Sequence, residues 1–183
     1  KIIGIDGLAT TFNYDGFGRL TKKVSPDGIE NNIQLNWDFS ESLSLYNRTE
    51  QTSGSPVIKT IYDKFGRAIK TERDGFSQKI FTTTTYDGFG NVNTTTAPYF
   101  ASDQPLVTTY NYHSTFKNRL MQTVNPALTV NYTYGFTGGN QTISTTSPNG
   151  MTTKITDFTG KTTSSTDDGG TLLFTYYSSG LQK

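Results

Sequence analysis

Five aspartates hold the positions that most suggest chemistry: Asp15, Asp38, Asp63, Asp87 and Asp157 each follow an aromatic residue or a threonine at the entry to a turn. Paired carboxylates could serve a glycosidase, and clustered ones calcium. A calcium loop, however, needs several acids within one short loop, and these are spread along the chain. Their repeated place at a turn makes turn closure the better account, because an Asp side chain accepts a hydrogen bond from the backbone two residues on. His113 is the only histidine, and there are no cysteines. Histidine triads, multi-histidine metal sites, thiol catalysis and disulfide frameworks are therefore excluded. The glycine-rich pieces, Gly135 to Gly139 and Asp167-Asp168-Gly169-Gly170, lack the lysine and helix of a phosphate-binding loop. The residues thus predict no catalytic, cofactor or metal site.

The element that must position these aspartates is a recurring hexapeptide. Tyr14-Asp15-Gly16-Phe17-Gly18-Arg19 returns as Tyr62-Asp63-Lys64-Phe65-Gly66-Arg67 and as Tyr86-Asp87-Gly88-Phe89-Gly90-Asn91. Tyr suits a half-buried pleated surface, Asp closes the turn, and the glycine four residues after the Tyr supplies positive φ to a hairpin loop. An aromatic at the third turn position is expected to fold over the hairpin.

Weaker copies lie between and after these three. Trp37-Asp38-Phe39, Tyr112 with its longer loop to Leu120, Tyr134 to Gly138, Thr156 to Lys161 and Tyr176 to Gly180 complete eight anchors over residues 1–183. Self-similarity at such a period marks a repeat architecture. A second set of turn signals, among them Pro26-Asp27-Gly28, Asp74-Gly75 and Pro148-Asn149-Gly150, falls between the anchors, giving two strands per module. Alternation is clearest in Leu128-Thr129-Val130-Asn131-Tyr132-Thr133-Tyr134, which assigns the anchors to one apolar face. The expected fold is all-β: an array of antiparallel β-hairpins forming a curved or spiralling sheet. The segment Pro98 to Pro105 is too proline-bounded for a central strand. It reads as an elongated loop whose exposed aromatics, Tyr99 and Phe100, offer a surface for binding.

Composition is consistent with this reading. Net charge is +1 with 17% charged residues, so no strong field points to nucleic acid or an anionic membrane. Hydrophobic content is only 32%, but 11 Tyr, 12 Phe and many Thr are what half-solvated sheets are made from. No apolar run is long enough to span a bilayer.

Tyr-Asp-x-x-Gly-Arg at a period in the low twenties resembles the YD repeat of RHS proteins. That repeat also occurs in the B-type and C-type subunits of insecticidal toxin complexes, in bacterial wall-associated toxins and in teneurins. Asn91 departs from the pattern at the Arg place. The resemblance implies a non-catalytic scaffold, a segment of an RHS-type shell that encloses or displays another part of a secreted toxin or bacterial surface protein. It carries no cofactor. The implied partners are further repeats of the parent chain or a partner shell subunit, with an enclosed toxin domain or a surface glycan beyond them. The residues implied in the repeat turns are Tyr14, Asp15, Gly18, Arg19, Tyr62, Asp63, Gly66, Arg67, Tyr86, Asp87 and Gly90. The alternative is a carbohydrate- or receptor-binding adhesion module that uses Tyr99 and Phe100.

Overall fold

The computed structural model describes residues 1–5 and 7–183. Among these residues there are seventeen strands and no helix. In chain order they are β1 (Ile2–Ile3), β2 (Ala9–Tyr14), β3 (Leu20–Val24), β4 (Glu30–Trp37), β5 (Ser44–Thr52), β6 (Ile58–Asp63), β7 (Ala68–Asp74), β8 (Lys79–Tyr86) and β9 (Val92–Thr96). They continue with β10 (Tyr99–Phe100), β11 (Val107–Tyr112), β12 (Leu120–Val124), β13 (Thr129–Thr137), β14 (Asn140–Ser147), β15 (Gly150–Thr156), β16 (Thr162–Asp167) and β17 (Gly170–Leu173). The fold is the antiparallel β-hairpin array that the turn spacing predicts.

The chain forms two compact units, one of Lys1–Thr85 with Thr95–Leu106 and one of Tyr86–Thr94 with Val107–Lys183. In the first, β1 to β8 pair antiparallel in succession. In the second, β11 to β17 do the same. A register shift recurs beside the anchor, between Asn13 and Tyr14, Ile61 and Tyr62, Asn111 and Tyr112, and Ile155 and Thr156. One extra residue on the outgoing strand sharpens the local twist at each of these places.

Trp37, Tyr46 and Tyr62 are cross-strand partners in one row, so they share a face, and the Tyr46 and Tyr62 rings stack at 4.8 Å. On the other face Ile61, fully buried, lies between Asn47 and Lys70 in the next row. The segment between β4 and β5 is tied around it. Asp38 accepts from Asn47 Nδ2 at 2.8 Å and pairs with Lys59 at 2.7 Å, while Glu41 pairs with Lys70 at 2.7 Å. The sequence suggested a short turn after Trp37; in the structure the strand does not return until Ser44, because Asp38 spends its carboxylate on Ser40, Asn47 and Lys59 in place of a turn glycine.

Two further expectations differ from the fold. At Tyr134 the strand runs on through Phe136 to Thr137 and reverses at Gly138 and Gly139, with φ 59° and 82°. Two consecutive positive φ angles define the tight two-residue hairpin turn, and this Gly-Gly pair satisfies it better than the longer loop. Between the prolines, Tyr99 and Phe100 form a short strand opposite Phe81 and Ile80 on β8. Pro98 limits this strand on one side, and on the other a turn closed by Asp103 N–H to Phe100 O at 2.9 Å ends the pairing after two residues.

Candidate functional site

The repeat turn is built from one carboxylate. In the first copy, the backbone N–H groups of Phe17 and Arg19 both donate to Asp15 Oδ1 at 2.9 Å, and Arg19 Nε donates to Oδ2 at 2.7 Å. Two backbone bonds close the loop, Asp15 N–H to Arg19 O at 2.9 Å and Gly18 N–H to Asp15 O at 3.0 Å. The same set recurs at Asp63, with Phe65 and Arg67 N–H at 2.9 Å and Arg67 Nε at 2.8 Å. At Asp87 the donors are Phe89 and Asn91, whose Nδ2 replaces the guanidinium at 2.9 Å. At Asp157 they are Thr159 and Lys161. Gly18, Gly66, Gly90 and Gly160 stand at φ 77°, 76°, 87° and 85°. That conformation is what lets the chain bring three donors, two of them backbone N–H groups, round one side chain.

These hydrogen bonds hold the carboxylates ionised. For Asp15 the backbone of Arg19 is the main cause of a lowered pKa, for Asp87 the side chain of Asn91, and for Asp157 the hydroxyl of Thr159. Asp63 is buried, which by itself raises its pKa, but Arg67 outweighs that and the net direction is down. Asp38 follows the same logic: burial opposes, and Lys59, Ser40 and Asn47 prevail. Every one of these acids is saturated by donors, so none is poised to give or take a proton in catalysis. Among the described residues, no group of three or more His, Asp or Glu is placed to hold a metal ion.

The third turn position behaves differently from expectation. Phe17, Phe65 and Phe89 are 86%, 69% and 68% exposed, so they project from the turns and do not fold over the hairpins. Each carries a cation on its ring: Arg19 at 5.1 Å from Phe17, Arg67 at 4.9 Å from Phe65 and Lys117 at 5.1 Å from Phe89. The arginine fixed by the Asp is thereby spread over the aromatic face. Tyr14 and Tyr86 end β2 and β8; Tyr62 lies one residue before the end of β6. Tyr99 is half-buried and leans on Phe81 at 5.8 Å, whereas Phe100 is exposed.

A second device joins one module to the next. Tyr112 Oη donates to Val92 O at 2.9 Å, Tyr134 Oη to Leu120 O at 2.8 Å and Tyr176 Oη to Thr162 O at 2.7 Å. Each acceptor is the first strand residue after the preceding anchor turn. Arg119 also lies over the Tyr134 ring and Lys161 over the Tyr176 ring, at 5.0 and 5.3 Å. Reading Tyr only as a face-forming residue missed this latch. The signal was there: six of the eight anchors are Tyr and none is Phe, while the third turn position uses Phe.

What this arrangement can do is hold hairpins in register, one after another. No curated protein matches the chain. The RHS Repeat family model matches residues 1–30, the stretch that holds the first complete turn from Tyr14 to Arg19, and this supports membership of the RHS/YD-repeat family for the chain.

Proposed function

We propose that the chain is a non-catalytic structural scaffold, a segment of an RHS/YD-repeat shell that encloses or displays another part of a secreted toxin or surface protein. The observation that carries this reading is the recurrence of two devices, the aspartate-closed turns at Asp15, Asp63, Asp87 and Asp157 and the tyrosine latches at Tyr112, Tyr134 and Tyr176. Together they spend acids, amides and hydroxyls on architecture. RHS repeats are structural elements of proteins that are typically extracellular or at the cell surface, and the repeat type implies further repeats in a parent chain. No helix among the described residues is long and apolar enough to cross a membrane.

The test is protease protection in the parent protein. The expected result is that the segment outside the repeats survives digestion until the turn aspartates are replaced, when it becomes susceptible. Equal cleavage with intact and altered turns would sink the enclosing role. One feature favours the alternative of an adhesion module: a cleft of about 760 Å³ lined by Phe17, Arg19, Leu35, Trp37 and Tyr46, in which Trp37 is 74% exposed. Such a platform suits an apolar ligand face, and Phe100 supplies a second exposed ring. A glycan array probed with the whole chain and with Trp37→Ala separates the two readings.

A further inference from the structure

One anchor turn is closed by a different chemistry from the rest. After Tyr112, the position that Asp15, Asp63, Asp87 and Asp157 hold elsewhere belongs to His113. Its Nδ1 accepts the backbone N–H groups of Thr115 at 3.0 Å and Phe116 at 3.1 Å, as Asp15 Oδ1 accepts those of Phe17 and Arg19. His113 N–H donates to Arg119 O at 2.8 Å, the counterpart of Asp15 N–H to Arg19 O. An imidazole nitrogen accepts hydrogen bonds only when it carries no proton. The closed turn therefore admits the neutral ring, with its proton on Nε2.

The loop that His113 closes ties its module to the modules on either side. Asn91 Nδ2 donates to Lys117 O at 2.8 Å, and Lys117 Nζ lies 5.1 Å from the centre of the Phe89 ring, so two contacts reach back to the preceding turn. Arg119 lies over the rings of Phe116 and Tyr134 at 4.7 and 5.0 Å, and Leu120 O accepts the Tyr134 hydroxyl. The His113 ring packs on Phe116 with centroids 5.1 Å apart. We propose that the turn from His113 to Arg119 is an acid-released joint: protonating His113 opens the loop and loosens its ties to the Asp87 turn before it and to β13 after it.

A ring protonated on both nitrogens is a donor at Nδ1, so the N–H groups of Thr115 and Phe116 lose their acceptor and face another N–H. The surrounding charges act in the same direction. Lys117 and Arg119 stand on the loop itself, and Asp87 stands on the preceding turn, where Phe89 and Asn91 already occupy its carboxylate. β11, β12 and β13 bring no charged side chain, and their titratable groups are Tyr110, Tyr112, Tyr132 and Tyr134. Two cations against one occupied carboxylate disfavour a third positive charge. The other turns do not share this sensitivity. The carboxyls of Asp15, Asp63, Asp87 and Asp157 all lie below their ordinary value of 3.8, and the reversal at Gly138 and Gly139 is made by glycines alone. Histidine changes charge between about pH 5 and 8, so in that range His113 is the turn acceptor that switches. A closure that needs the neutral ring is fully present above about 6.5, where a histidine in an unfolded chain takes up its proton, and is lost below it. The device belongs to the hairpin array itself and goes beyond the question of what the array encloses.

The single histidine makes the test direct. In nitrogen-15 NMR of the whole chain at pH 7.5, Nδ1 should show the shift of an unprotonated ring nitrogen and Nε2 that of a protonated one; the opposite tautomer, or averaged shifts, overturns the proposal. Amide exchange, corrected for the intrinsic effect of pH, then follows the opening. From pH 7.5 to 5.5, protection at Thr115, Phe116, Arg119 and Leu120–Val124 should fall about threefold to tenfold, because a turn that admits only the neutral ring loses up to about tenfold per pH unit below about 6.5. Protection in Thr162–Asp167 should hold. His113→Asp restores the carboxylate closure of the other turns and should abolish the fall. An unaltered chain equally protected at both pH values, or a His113→Asp chain that loses protection by the same factor, overturns the proposal.

Discussion

A single aspartate does in this fold what a helix cap does elsewhere: it collects orphan backbone donors and fixes a chain reversal. Asp63 is the most consequential copy, since its side chain is 4% exposed and pairs with Arg67 Nη2 at 2.6 Å. Asp63→Asn keeps the shape but removes the charge from three donors, and about 2 kcal/mol of stability should go with it. Its carboxyl lies below the ordinary value of 3.8 when folded. Its contribution is therefore fully present above that value and is lost as pH falls through the lower, folded one. Urea titrations from pH 7 down to pH 2 should show the unaltered chain losing its advantage over Asp63→Asn only at the acid end; a constant gap would contradict the charge argument. The latch gives a second prediction at this scale. Tyr134→Phe removes one hydroxyl bond and no ring, so it should cost about 1 kcal/mol, or roughly 2–4 °C in melting temperature for a chain of this size. An unchanged melting point would show that the hydroxyl bond to Leu120 adds nothing.

At the scale of the hairpin, the spacing of Tyr, Asp and Gly made the turns legible, because Asx closure and positive φ are local demands that a short stretch states outright. Gly66 shows how strict the demand is. Its φ is 76° and a Cβ there would meet only Tyr46 Oη at 3.7 Å, so the penalty of Gly66→Val is backbone strain and not collision. A loss of at least about 1 kcal/mol is expected in thermal unfolding, and a neutral variant would mean that the turn can relax to another type. The clasp from Asp38 to Ser44 was not legible, because it depends on Lys59 and Lys70, which reach it only once β6 and β7 are paired. Asp38→Ala strands Lys59 beside Ile61, and a loss of about 3 kcal/mol is expected from a paired charge left unmatched in a largely buried place. Faster proteolysis between Ser40 and Leu43 would accompany it. The Tyr99–Phe100 strand escaped for the same reason as the clasp. Prolines say where pairing must stop, and only the position of Phe81 says where it is allowed.

For the chain as a whole, the question is what supports so many strands with so little core. Among the described residues the buried apolar side chains are Ile33 and Ile61, both in the unit that holds Lys1–Thr85. In the unit of Val107–Lys183 the buried side chain is Ser144, whose hydroxyl shares a hydrogen bond with Thr153 at 2.9 Å. Strands there are rich in Thr and Ser on both faces, as Thr162–Asp167 illustrates. Their stability rests on ladder hydrogen bonds and on latches such as Tyr176 to Thr162, each worth about 1 kcal/mol net, with little hydrophobic burial at about 25 cal/mol per Å² to add to them. Free energies of opening follow local burial, so the two units should not share one value. Amide exchange in Ile58–Asp63, around the fully buried Ile61, should be slower by at least about tenfold than in Thr162–Asp167, a difference of about 1.4 kcal/mol. Urea should likewise release the second unit first, giving a transition broader than a single cooperative step. Uniform protection across both segments, with one sharp transition, would mean that the ladder and latches alone stabilise the polar strands as well as a core does, and that the clasp around Ile61 is dispensable.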